Sequence, residues 1–122
     1  MIKKLPDTEL EVMQALWACT SPATRMDVEA LLTTTHPMAP TTLLTLLSRL
    51  AEKEFIQIQK EGRTPHYIPL IKQEDYLASQ SRRFIDTLCG GKISIFANAL
   101  CHSGISRDDL EELRRILERD AK

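Results

Sequence analysis

Apolar residues recur along this chain at two different spacings. Between Pro40 and Lys53, the positions Leu43, Leu46, Leu47 and Leu50 follow helical spacing and give one apolar stripe. Pro40 suits the first helical turn, where its missing N–H would have no partner anyway. At about 100° per residue, Thr41, Thr45, Arg49 and Glu52 fall on the opposite side. Two shorter helices precede this one. The first runs from about Asp7 to Ala18, with Leu10, Met13 and Trp17 along one side and Val12 and Leu16 widening it. Asp7 is its cap, or Thr8 and Glu11 form a capping box. Thr20-Ser21-Pro22 breaks the pattern, and Thr24 then caps a second helix whose buried side is Val28, Leu31 and Leu32. The β-branched run Thr33-Thr34-Thr35, followed by His36-Pro37, predicts a turn. After Phe55 the period changes to two. Ile56 and Ile58 alternate with Gln57 and Gln59, Lys60 to Pro65 supply a turn, and His66 to Leu70 form the returning strand.

The rest of the chain is helical again. Gln73-Glu74-Asp75 opens a helix through about Leu88, with Tyr76, Leu77, Phe84, Ile85 and Leu88 apolar, and Gly90-Gly91 stops it. Ile93, Phe96, Ala97 and Leu100 predict a short fifth helix. Ser106 caps a sixth, acidic early and arginine-rich late, which matches the helix dipole; its stripe is Leu110, Leu113, Ile116 and Leu117. These last helices are too few and too short for a core of their own. Their apolar faces, Tyr76, Phe84, Leu88, Ile93, Phe96, Leu100, Leu110, Leu113 and Leu117, are therefore assigned to a dimer contact.

The expected fold is mainly α with a small β wing: a winged helix-turn-helix domain over residues 1–72 and a helical dimerisation domain over 73–122. In that arrangement the third helix enters the major groove and the hairpin lies along the backbone. The candidate DNA-binding residues are Thr41, Thr42, Thr45, Arg49 and Lys53 on the helix, and Lys60 and Arg63 on the hairpin.

Composition moderates this reading. The 122 residues carry a formal net charge of −1, so DNA binding must come from local placement of charge. A hydrophobic content of 43% and a charged content of 27% are those of an ordinary globular chain. No apolar run approaches a membrane span and the start lacks a signal-peptide pattern, so a cytoplasmic protein without membrane insertion is expected. Cys19, Cys89 and Cys101 are odd in number and widely spaced, as reduced thiols would be.

Four segments in order resemble the penicillinase and methicillin-resistance repressor family (BlaI/MecI), which includes a copper-responsive branch. They are Leu10-Glu11-Val12-Met13 with Leu16-Trp17; Pro40-Thr41-Thr42-Leu43 with Leu47 and Arg49-Leu50; Lys60-Glu61-Gly62-Arg63 with Tyr67; and Phe84-Ile85-Asp86 near Gly90, followed by Ile105-Ser106 and Leu110-Glu111-Glu112-Leu113. The resemblance implies a homodimeric repressor of antibiotic-resistance or homeostasis genes, bound to a palindromic double-stranded operator. It also implies release through a membrane sensor protease that cuts the dimerisation region, at Ala99-Leu100 when the family's cleavage position is matched to this chain. The chain departs from the family pattern at Ala39, where a Ser cap is usual, at Thr41, often lysine, and at Leu44, usually polar. Leu44 flanks the apolar stripe, where it either packs against the second helix or meets a thymine methyl.

The paired Cys-x-Cys cluster of the copper branch is missing, and Cys89, Cys101 and His102 have no metal-ligand spacing, so no metal or cofactor is assigned. No nucleophile, orienting group and oxyanion site come together, and no glycine loop cradles a phosphate, so the chain is not read as an enzyme. Two alternatives stay open at this level: a metal-responsive repressor, and a winged-helix module for protein contacts.

Overall fold

In a computed structural model, which describes residues 2–120, the third helix again sits at the centre. The elements are α1 (Asp7–Ala18), α2 (Arg25–Thr35), α3 (Pro40–Glu52), β1 (Ile56–Glu61), β2 (Thr64–Pro69), α4 (Gln73–Leu88), α5 (Ile93–His102) and α6 (Arg107–Asp120). They fall into two compact units, Met1–Gln80 and Ser81–Lys122.

In the first unit, Leu43, Leu46, Leu47 and Leu50 of α3 are all buried, against Val12, Met13 and Leu16 of α1 and Val28 and Leu32 of α2. Burying each such side chain is worth about 1.5–3 kcal/mol, so the leucine stripe alone outweighs any propensity effect in the helix. Pro40 is the first residue of α3, as its missing N–H allows, and Ala39 caps it without a side-chain bond. The far end closes through two backbone bonds: the Phe55 N–H donates to the Leu50 carbonyl (3.0 Å) and the Glu54 N–H to the Ala51 carbonyl (3.0 Å). This closure needs a left-handed residue, and Glu54 supplies it at φ +64°. Phe55 is thereby turned back into the core beside Leu50.

The wing is one antiparallel hairpin whose register runs from Ile56↔Pro69 to Glu61↔Thr64. Its turn is the pair Gly62-Arg63, shorter than the six residues expected, and Gly62 has φ +64°. A type II′ turn puts glycine at that first central position. An isolated bridge, in which the Ala23 and Tyr67 N–H groups donate to each other's carbonyls at 3.1 and 2.7 Å, ties the base of the wing to the entry of α2. Only Ile56 is buried in β1; Ile58, expected to share that face, is exposed, because the hairpin runs out beyond the helices that could cover it.

Two helix ends differ from expectation. Pro6, not Asp7, is the N-cap of α1, and the Thr8–Glu11 box does not form; the Glu11 carboxylate lies 2.8 Å from His36 Nδ1 instead. Helix α2 continues through Thr33, Thr34 and Thr35, where a turn was expected. The Thr33 and Thr34 hydroxyls donate to the Glu29 and Leu31 carbonyls (2.8 and 3.3 Å), which lets a β-branched run stay helical. Leu31 faces outward, since Val28 and Leu32 already fill the contact. The Thr24 cap is as read: its hydroxyl accepts from the Asp27 N–H, and the Asp27 carboxylate accepts from the Thr24 N–H (3.0 Å), a capping box.

Tyr76, assigned from sequence to the dimer contact, belongs to the first unit instead. It is 3% exposed, its hydroxyl accepts from the Leu5 N–H (3.0 Å), and its ring meets Phe55 edge-on at 5.9 Å. The first turns of α4 therefore complete the winged-helix core, which continues past residue 72. In the second unit, the Gly91 N–H donates to the Ile85 carbonyl (2.9 Å) and ends α4 at the glycine pair as expected, and Ser106 Oγ accepts from the Asp109 N–H (3.0 Å) to cap α6. Among the described residues of this unit only Cys89 is buried.

Candidate nucleic-acid interface

The side of α3 away from its buried leucines carries Thr41, Thr42, Leu44, Thr45, Ser48 and Arg49, all exposed. Thr45 Oγ1 donates to the Thr41 carbonyl (3.0 Å), so the threonine offers its methyl and its remaining lone pair outward, not a donor. Arg49 was open to an ion pair with Glu52; among the described residues it makes none, and its guanidinium is free for an external acceptor. Lys60 and Arg63 are exposed beside the wing turn, and neither has an ion-pair partner among the described residues.

Lys53 is different. Its Nζ lies 2.6 Å from Glu9 Oε1, and the Glu9 side chain is only 4% exposed. The lysine neutralises a carboxylate inside the fold and leaves the set of groups free to meet a phosphate. Sequence reading overlooked Arg25, on the first turn of α2. It pairs with Glu29 one turn on and lines a depression of about 260 Å³ together with Thr24, Met26, Leu44, Arg63, Thr64, Pro65 and Tyr67. The Thr24 cap was the available signal, since it fixes where α2 starts and hence that Arg25 stands at that end.

Charge at this surface is set locally. The Thr24 N–H and hydroxyl hold the Asp27 carboxyl below the usual range, so it stays ionised and committed to the cap. Burial, with Asp27 nearby, pushes the Cys19 thiol up, which keeps it protonated and unreactive.

The geometry is that of a helix with a polar, cationic outer face beside a basic hairpin. The model of the penicillinase repressor family matches residues 5–119. The chain belongs to the penicillinase repressor family. Members are transcriptional repressors, not enzymes. This chain is 36% identical to the penicillinase repressor of Bacillus licheniformis over 121 residues, 96% of this chain and 94% of the relative. It is 30% identical to the transcriptional regulator BlaI of Mycobacterium tuberculosis over 119 residues, 95% of this chain and 84% of the relative. Among solved structures it resembles the Bacillus licheniformis BlaI monomeric form in complex with the blaP half-operator, with a TM-score of 0.52 and 37% identity. That match covers 62% of this chain and 92% of the other. The winged helix-turn-helix expected from sequence is thereby established.

The remaining candidates lie in the second unit. Phe84, Leu88, Ile93 and Leu117 are exposed; Phe96, Leu100, Leu110 and Leu113 are half-buried, with Phe84 and Phe96 in edge contact at 5.8 Å. Ala99 is exposed within α5, and Leu100 follows it. Cys101 is exposed and Cys89 buried; no cluster of three metal-ligating residues occurs among the described residues. No single described helix is long and apolar enough to cross a membrane.

Proposed function

We propose that this chain is a homodimeric repressor that binds a palindromic operator in the cytoplasm and controls antibiotic-resistance or homeostasis genes. The observation that carries the reading is the exposed face of α3, on which Arg49 has no ion-pair partner among the described residues, next to Lys60 and Arg63 of the wing, which have none there either. Thr41, Thr42, Thr45 and Arg49 meet base edges and adjacent phosphates, while Lys60 and Arg63 lie along the backbone. The dimer contact is supplied by Phe84, Leu88, Ile93, Phe96, Leu100, Leu110, Leu113 and Leu117. Support comes from the second unit, in which a single described residue is buried and large side chains such as Leu88 and Ile93 face solvent.

Release follows from the same design. A cut at Ala99-Leu100 would separate α6 from the reading half, and the gain in effective concentration from linking two readers would be lost. A membrane sensor protease is the partner that the family reading supplies. Mass spectrometry of the chain from induced cells is the check; intact protein with its genes derepressed would replace cleavage by another signal.

The test of operator binding is fluorescence anisotropy of the full-length chain on duplexes selected from a random library, at several salt concentrations. Affinity should fall steeply with salt, as phosphate contacts require, and a protein-contact module would not show this. Arg49→Ala should cost about 1–3 kcal/mol on the selected duplex, and Arg63→Ala should lower the salt slope by about 1 on any duplex.

A further inference from the structure

Leu44 is the one apolar residue on the exposed arc of α3 between Thr41 and Ser48, and it is 42% exposed. Core packing does not account for it, because Leu43, Leu46, Leu47 and Leu50 already fill the inner side of the helix. Nor does it stand alone. Met26, on the first turn of α2, is 70% exposed, and both side chains line the open depression whose other walls include Arg25, Arg63 and Pro65. Two apolar side chains beside Arg63, whose guanidinium has no ion-pair partner among the described residues, suit an occupant that is anionic and also offers an apolar group. A DNA major groove meets both demands, with phosphates at its edges and the thymine C5-methyl in its floor. Leu44 also belongs to the same exposed arc of α3 as Thr41, Thr45 and Ser48, the face assigned to the duplex.

We infer that Leu44, backed by Met26, reads a thymine methyl group in each operator half-site. This rests on the operator-binding reading given above. A leucine neither donates nor accepts a hydrogen bond, so it separates bases by their apolar surface alone. A thymine methyl gains by leaving water against it, whereas a cytosine amino group or guanine carbonyl in the same place loses its water without a new partner. Arg63 holds a flanking phosphate and sets the depth at which Leu44 meets the base, while Arg25 stays paired with Glu29.

Deoxyuridine differs from thymidine only by the missing methyl, which makes the inference directly testable. The full-length chain is first used to select a duplex from a random library. Each thymidine of that duplex is then replaced singly by deoxyuridine, and affinity is measured by anisotropy for the wild-type chain and for Leu44→Ala. Wild type should lose about fourfold at one thymidine position per half-site, the value of one buried methyl. Leu44→Ala should bind the thymidine and deoxyuridine duplexes equally at that position, while its salt slope stays that of wild type. Uniform wild-type affinity across all deoxyuridine duplexes would overturn the inference, and so would a methyl effect that persists in Leu44→Ala. If no duplex is enriched at all, the operator reading fails and takes this inference with it.

Discussion

Replacing Lys53 by methionine separates two roles that the same charge could play. Lys53 Nζ lies 2.6 Å from Glu9 Oε1; the Glu9 side chain is 4% exposed and that of Lys53 27%. Methionine keeps most of the lysine stem's volume and removes the charge, leaving the carboxylate buried and alone. Removing one partner of a buried pair typically costs about 3–5 kcal/mol, and the partial exposure of Lys53 puts this case at the low end. The loss should therefore be about 3 kcal/mol at neutral pH. The assay is urea unfolding at fixed chain concentration, where the midpoint should move by about 1–2 M at neutral pH. Glu9→Leu combined with Lys53→Met should recover much of the loss, since no charge is then left buried. On operator DNA, the Lys53→Met chain at a urea-free, folded concentration should keep the wild-type salt slope. An unchanged unfolding midpoint together with a salt slope lower by about 1 would refute the reasoning and return Lys53 to the phosphate contacts.

Three further outcomes are expected. Glu54→Gly should raise stability by about 1 kcal/mol, because an L-residue at φ +64° is strained and glycine is not; a lower unfolding midpoint would mean that the Glu54 side chain makes a compensating contact. Thr24→Ala should cost about 1 kcal/mol by removing the cap of α2. The Asp27 half of that box is held ionised by the Thr24 N–H, so its stabilisation is present above the ordinary carboxylate range and fades as pH falls below about 4; Asp27→Asn should flatten that acid limb, and an identical pH profile would count against the box. A chain ending at Gln80 should fold as a monomer by ultracentrifugation and circular dichroism. One ending at Leu70 should be weaker by about 3–5 kcal/mol, since it lacks the buried Tyr76 ring; equal melting of the two would contradict that packing.

What the sequence determined by itself is local. The leucine period of α3, Pro40 at its start, Thr24 with Asp27 at the start of α2, Gly62 in the wing turn and the Gly90-Gly91 stop each act through neighbours a few residues away. Such signals fix the order helix, helix, helix, hairpin, helices, and the polar face of α3 follows from geometry once the buried face is known. The tertiary structure decided which of the chemically able residues remain free. Lys53 is drawn inward by Glu9, 44 positions away, and Tyr76 is fixed by the Leu5 N–H, 71 positions away. Arg49, with the same sequence credentials as Lys53, stays unpaired among the described residues. Ile58 is apolar and on the expected inner face of the wing, but nothing covers it, and Leu44, at the flank of the leucine stripe, falls on the exposed side. Periodicity states which side of an element is apolar; whether a given side chain is buried or paired depends on what the rest of the chain brings against it, and that is settled only when the elements pack.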